Sequence, residues 1–145
     1  MNRTLHAPRA PGLDAATLSS VPVAEQPDLR LRPHPSLSLL QLRHPSRAIW
    51  EAVLIADARE RALCLAVVDL ARSDGCVAVL HRSRQLALIA LSEASFAMAH
   101  AFAQGGRLVD VLASAPPEAA APLLAGLLCQ GFFAGCRRPA EGGTR

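Results

Sequence analysis

The sequence predicts an α+β fold, a small antiparallel sheet with a hairpin packed against several helices. Three observations predict it. Two β-type runs, residues 76–82 and 85–91, flank the short polar link Ser83-Arg84 and read as a hairpin. Helical apolar spacing follows Ser92 and again Pro116-Pro117-Glu118, with Gly105-Gly106 between the two stretches. The chain has 145 residues, 51% of them hydrophobic and 19% charged, the size and composition of one globular domain.

Residues 1–33 hold five of the eleven prolines and no sustained apolar period, so they read as a mobile arm or an extended wrapping segment. Only a stretch such as Ala15 to Leu18 suits a single helical turn. Order is expected from residue 34 to 136. A strand over 36–42 places Leu37 and Leu39 on one face, with a slip at Leu40 that marks a bulge or a second buried face. Pro45 suits a first helical turn, and Ile49, Val53 and Leu54 set a helix over about 46–57. In that helix Trp50 is expected to supply the largest single burial in the chain. Residues 57–72 are ambiguous. Leu63, Val67 and Leu70 form a helical stripe, whereas residues 63–68 also fit a buried strand; length and Arg59-Glu60-Arg61 favour the helix.

Ser73-Asp74-Gly75 is a turn signal, and the hairpin follows it without the glycine that tight primed turns prefer. Ser92 caps a helix whose stripe is Phe96, Ala99 and Phe102. A short helix is expected over 107–113. The last helix presents Leu123, Leu124, Leu127, Leu128 and Phe132, and is apolar nearly all round through residue 134. That suits a core helix or a docking face. Residues 137–145 read as a flexible basic tail.

Composition excludes several function classes. All 15 basic residues are arginine, which with abundant alanine and leucine indicates coding bias rather than selection for phosphate contacts. A net charge of +3 is small for a nucleic-acid binder, and five Phe and Trp residues with no tyrosine leave few stacking platforms. The cysteines Cys64, Cys76, Cys129 and Cys136 lack zinc-site spacing and read as buried reduced thiols; Cys76, beside its turn, is the most accessible candidate nucleophile, but a core cysteine is the favoured reading there too. His34 and His44 open repeated His-Pro-Ser triplets. About 33 Å of extended chain between them argues for two local turns rather than a shared metal. There is no metal-site pattern, no GxSxG elbow and no P-loop, so no catalytic residue is assigned. Without an h-region or an apolar run of membrane length, the expectation is a cytoplasmic protein with no membrane partner. The mean hydropathy of +0.24 is high for a soluble monomer and points to apolar surface covered by a partner.

What remains is interaction chemistry. The hairpin must leave a sheet edge, and an edge strand accepts a guest strand unless it is blunted. Arg82 and Arg84 flank the turn, either as attractors of an acidic peptide or as solvated turn residues.

The passage 33–42, Pro-His-Pro-Ser-Leu-Ser-Leu-Leu-Gln-Leu, followed by His44-Pro45 and Ala48-Ile49-Trp50, resembles a known family. So do Val79-Leu80-His81-Arg82, residues 86–91, Ser92-Glu93-Ala94, Gly105-Gly106-Arg107-Leu108, and Leu127-Leu128 with Gly131-Phe132-Phe133. These pieces are similar to the C-terminal domain of the family labelled "putative DNA-binding domain", over about residues 28–136. That family includes partner proteins of multinuclear non-haem iron oxidative enzymes in peptide natural-product pathways, such as the methanobactin and thiaglutamate systems. The resemblance implies a non-catalytic subunit with no cofactor of its own. It would bind a ribosomal precursor peptide by sheet-edge pairing and dock on a TIM-barrel iron enzyme that carries the iron. Either strand of the hairpin would be the pairing strand, making Val77, Val79, Leu80, Arg82, Arg84, Leu86 and Leu88 the candidate peptide-binding residues. Trp50, Phe132 and Phe133 are the candidate enzyme-docking residues. The family label also makes a small DNA-binding regulator the alternative. The longer members have a helical N-terminal domain where this sequence has the proline-rich arm.

Overall fold

The computed structural model describes residues 12–82 and 84–138, and within them the fold is α+β. In chain order the elements are α1 (Ala15–Ser19), a 3₁₀ turn (Gln26–Asp28), β1 (Arg30–Pro33), β2 (Ser38–Leu42), α2 (Ser46–Val53) and α3 (Ala58–Ala66). There follow β3 (Gly75–Arg82), β4 (Gln85–Leu91), α4 (Glu93–Ala103), α5 (Leu108–Ala113), α6 (Pro117–Cys129) and β5 (Phe133–Arg137). The strands make two antiparallel sheets, a ribbon β1-β5 and a three-stranded sheet ordered β2-β3-β4.

Helix α4 is the hub. It starts at Ser92, whose hydroxyl accepts from the Ser95 N–H, and it touches both sheets together with α5 and α6. It buries Met98, Ala99 and Phe102; Phe96 stays half-buried beside His100. Phe102 meets Phe133 edge to face with centroids 5.4 Å apart, and Phe132 is buried in the same cluster. Each such ring contributes about 2–3 kcal/mol by leaving water. Behind α4 the chain reverses through Gly105 at φ +83° and Gly106, where a Cβ would sit 2.7 Å from Val111 and 2.9 Å from the Ala101 carbonyl oxygen.

Two regions differ from the sequence expectation. From residue 12 onward the arm wraps onto the core and is not mobile, so order starts well before residue 34. Leu13, Val21, Leu29 and Leu31 are all in the core, and β1 pairs with β5 from Arg30↔Arg137 to Pro33↔Phe133. The prolines allow this because they fall at breaks. Pro22 follows α1, Pro27 lies in the 3₁₀ turn, and Pro33 ends its strand at a register shift. Residues 1–11, the rest of that arm, lie outside the described residues.

The second difference is β5. The apolar run through residue 134 reads as one helix, yet Gly131 at φ +71° ends it. Its N–H donates to the Leu128 carbonyl and that of Phe132 to the Leu127 carbonyl, which turns the chain into a strand. Phe132 and Phe133 are 0% exposed. They are core residues, so the expectation that they dock on an enzyme is corrected. The expected tail is likewise paired at Arg137, while residues 139–145 lie outside the described residues.

Helix α2 starts where expected but ends at Val53 rather than near residue 57, the ambiguous stretch 57–72 is helical only to Ala66, and the expected apolar stripes are not buried. Asp57 caps α3 by accepting from the Glu60 N–H. Trp50 is 40% exposed, and Leu63, Val67 and Leu70 are more so. The expected dominant burial by Trp50 is therefore corrected. Ala52 is the buried residue of α2, and α3 buries none.

Candidate functional site

The three-stranded sheet decides which backbone is available to a guest. Its register runs Ser38↔Val79↔Leu88, Leu39↔Ala78↔Ile89 and Leu40↔Val77↔Ala90, without irregularity in either pairing. The slip at Leu40 is thus no bulge. Leu40 lies on the second face of a regular strand and is 43% exposed.

Strand β3 is central and is bonded on both sides. Val77, Val79, Leu80 and Arg82, expected as one possible pairing strand, are all paired with β4, and Val77 and Val79 with β2 as well, so they do not form the free margin that strand addition needs. That expectation is corrected. The two margins are β2 and β4.

They differ in quality. Strand β2 has five residues and lies between Pro35 and Pro45, with Arg43 just beyond its end. Proline and charge blunt an edge. Strand β4 has seven residues, Gln-Leu-Ala-Leu-Ile-Ala-Leu, with no charge and no proline. The hairpin closes on the pair Arg82↔Gln85. A closing pair of a two-residue loop exchanges both its hydrogen bonds, and bonding direction then alternates along the strand. Gln85, Ala87, Ile89 and Leu91 therefore turn their N–H and C=O groups toward β3. Leu86, Leu88 and Ala90 turn theirs outward. Among the described residues, no segment beyond β3 hydrogen-bonds to the backbone of those three.

Side chains alternate in the same register. Leu39, Ala78, Leu80, Ile89 and Leu91 belong to or pack against the core, on the side of α4. Leu40, Val77, Val79, Leu86, Leu88 and Ala90 share the opposite face. Val77, at the centre of that face, is buried; the others are half-buried or exposed. A guest strand on β4 would add its backbone to the ladder and alternate side chains to this apolar face.

Charges mark the two ends of the edge. Arg84, exposed, stands at the hairpin end with φ +70°, the conformation the glycine-free loop demands of it. Glu93, exposed, opens α4 just past the other end.

Beside the sheet, α2, α3 and the chain after α3 form a groove of about 590 Å³. Ala52, Ile55, Cys64 and Val67 give it an apolar floor, with Glu51, Asp69, Arg72 and Asp74 among the lining residues. Asp74 accepts from the Arg47 N–H and so ties the start of α2 to the turn that begins β3. The exposed Trp50, Val53, Leu54, Leu63, Val67 and Leu70 lie on this same stretch of chain.

Among the described residues no three metal-ligating side chains converge. His34 makes a local turn, its Nδ1 2.8 Å from the Ser36 hydroxyl and its carbonyl accepting from the Leu37 N–H. At the second triplet the Ser46 N–H donates to the His44 carbonyl. Cys76 is buried, in line with its reading as a core cysteine, whereas Cys129 is exposed, contrary to the expectation of buried thiols. Among the described residues two groups depart from their ordinary values, and both stand at helix N-cap positions. Hydrogen bonds from Thr17 hold Asp14 below the usual carboxylate range; the hydrogen bond to Asp110, then that to Asp28, raises Arg107 above the usual guanidinium value. No helix among the described residues is long and apolar enough to cross a membrane.

Sequence reasoning placed Leu86 and Leu88 in the candidate set but missed Ala90, the third outward residue. The hairpin register finds it, once the closing pair is known. No family model, curated protein or solved structure matches the chain.

Proposed function

We propose that this chain is a non-catalytic peptide-binding subunit. It takes an extended segment of a ribosomally made precursor peptide along the outer edge of β4 and presents it to an iron-dependent oxidative enzyme. The observation that carries the reading is that edge: seven residues, uncharged, proline-free and, among the described residues, bonded on one side only. Leu86, Leu88 and Ala90 supply the backbone pairing, and Leu88 with Val79 floors the guest's alternate side chains. Arg84 favours an acidic guest residue at the hairpin end. The iron belongs to the enzyme, which docks over the exposed apolar stretch around Trp50, Val53 and Leu54. That stretch supports the docking half, because apolar side chains left in solvent by their own fold favour a protein partner.

Titration of a fluorescent precursor peptide into the purified protein, with and without the iron enzyme, tests the reading. Binding is expected, with little salt dependence, and is lost in Leu88→Pro, which removes an outward donor while leaving the β3 ladder intact. Absence of binding in both settings contradicts it. A steep fall of affinity with salt, the mark of phosphate contacts, would instead favour a nucleic-acid ligand.

A further inference from the structure

We infer that, without a guest, β4 pairs with β4 of a second copy, antiparallel about a two-fold axis at Leu88. The strand is self-complementary. With Leu88 opposite its own symmetry mate, Leu86 faces Ala90 of the other copy and Ala90 faces Leu86, all at outward-bonding positions. These pairs exchange about six backbone hydrogen bonds across the axis and join two three-stranded sheets into one. No charge on β4 opposes the pairing, since Gln85 through Leu91 carry none. The flanking charges favour it. Arg84 falls opposite Ser92 of the other copy and next to its Glu93, and symmetry repeats the contact. The apolar faces around Val79 and Leu88 become continuous across the axis.

Pairing of this length covers less than the about 1,200 Å² of a stable interface, so the dimer dissociates on dilution. Such a weak dimer suits a resting state that keeps the edge paired and yields it to a guest strand. The yielding rests on the peptide-binding reading above; the self-pairing does not.

Sedimentation velocity across a concentration series tests it, with circular dichroism to confirm that each variant is folded. The wild-type chain shifts from monomer to dimer. Leu88→Lys and Leu88→Glu each weaken association about tenfold, because like charges face each other on the axis, and an equimolar mixture of the two forms a heterodimer. Arg84→Glu and Glu93→Arg each weaken it several-fold and the double variant restores it. A wild-type chain that stays monomeric to millimolar concentration overturns the inference. So does a dimer indifferent to the Leu88 charges. Addition of precursor peptide separates the two proposals: a dimer that the peptide neither binds nor dissociates leaves the self-pairing standing and removes the peptide reading. Peptide bound by a chain that never dimerises does the reverse.

Discussion

The part of the molecule around α4 and the segment of α2 and α3 use the same residue types to opposite effect. Around α4 the aromatic and aliphatic side chains close on one another. Phe102, Phe132, Phe133, Leu29, Leu31 and Leu127 are almost wholly withdrawn from water. Around α2 and α3, Trp50, Val53, Leu54, Leu63, Val67 and Leu70 stay in solvent, and Val67 is 83% exposed. The high mean hydropathy is therefore not a sign of a larger core. The contrast separates apolar residues that hold the chain together from apolar residues that the fold leaves for another surface.

The largest effect that sharpens this contrast is on stability. Phe133→Ala removes a ring locked against Phe102 and is expected to cost about 3–5 kcal/mol in urea denaturation. Val53→Ala, Leu63→Ala and Val67→Ala should each stay within about 0.5 kcal/mol. A cost above about 2 kcal/mol at any of these three would mean that the segment is core after all.

Next comes a pair of neighbours on β4. Ile89→Pro deletes a donor in the ladder to β3 and should destabilise the fold by more than about 2 kcal/mol. Leu88→Pro deletes an outward donor and should cost about 1 kcal/mol while abolishing strand addition. Equal costs at the two positions would show that the outer edge is already bonded. A smaller effect lies at the turn. Arg84 at φ +70° carries backbone strain, so Arg84→Gly should leave stability unchanged or raise it by about 0.5 kcal/mol in a thermal melt.

The smallest effect is on pH dependence. Asp14 is fully exposed, and its folded-state pKa is lowered by the Thr17 hydrogen bonds. Its contribution is complete above its unfolded value, near 3.9 for a free aspartate, and is lost as pH falls through the lower folded value. Asp14→Ala should remove that part of the acid sensitivity in melts taken between about pH 5 and pH 2.

Much of the fold was legible in the sequence because the signals were local. The Ser92 cap, the Gly105-Gly106 stop and the two β-type runs about Ser83-Arg84 each act over a few residues, and the structure has each. The β1-β5 ribbon was not legible. It joins Arg30 to Arg137, and no local pattern reports a pairing at that separation. Proline content argued against order in a segment where Pro22, Pro27 and Pro33 merely sit at breaks. Gly131 was visible, but the run of apolar residues across it outweighed a single glycine as a helix stop.

The same limit governs the candidate site. The hairpin was readable, yet which of its strands is exposed depends on where β2 lands. That choice is tertiary, since β2 pairs with β3 from 33 or more residues away in sequence and leaves β4 outermost. Burial of Phe132 and Phe133, against exposure of Trp50, is likewise set by what packs on them and not by residue type.

Amide hydrogen exchange of the dilute monomer, read residue by residue by NMR, reports directly on the edge. The amides of Ala87, Ile89 and Leu91 should be protected by β3, whereas those of Leu86, Leu88 and Ala90 exchange fast and become protected only when a guest strand or a second copy adds to the sheet. Slow exchange at Leu86, Leu88 and Ala90 in the monomer alone would contradict the account.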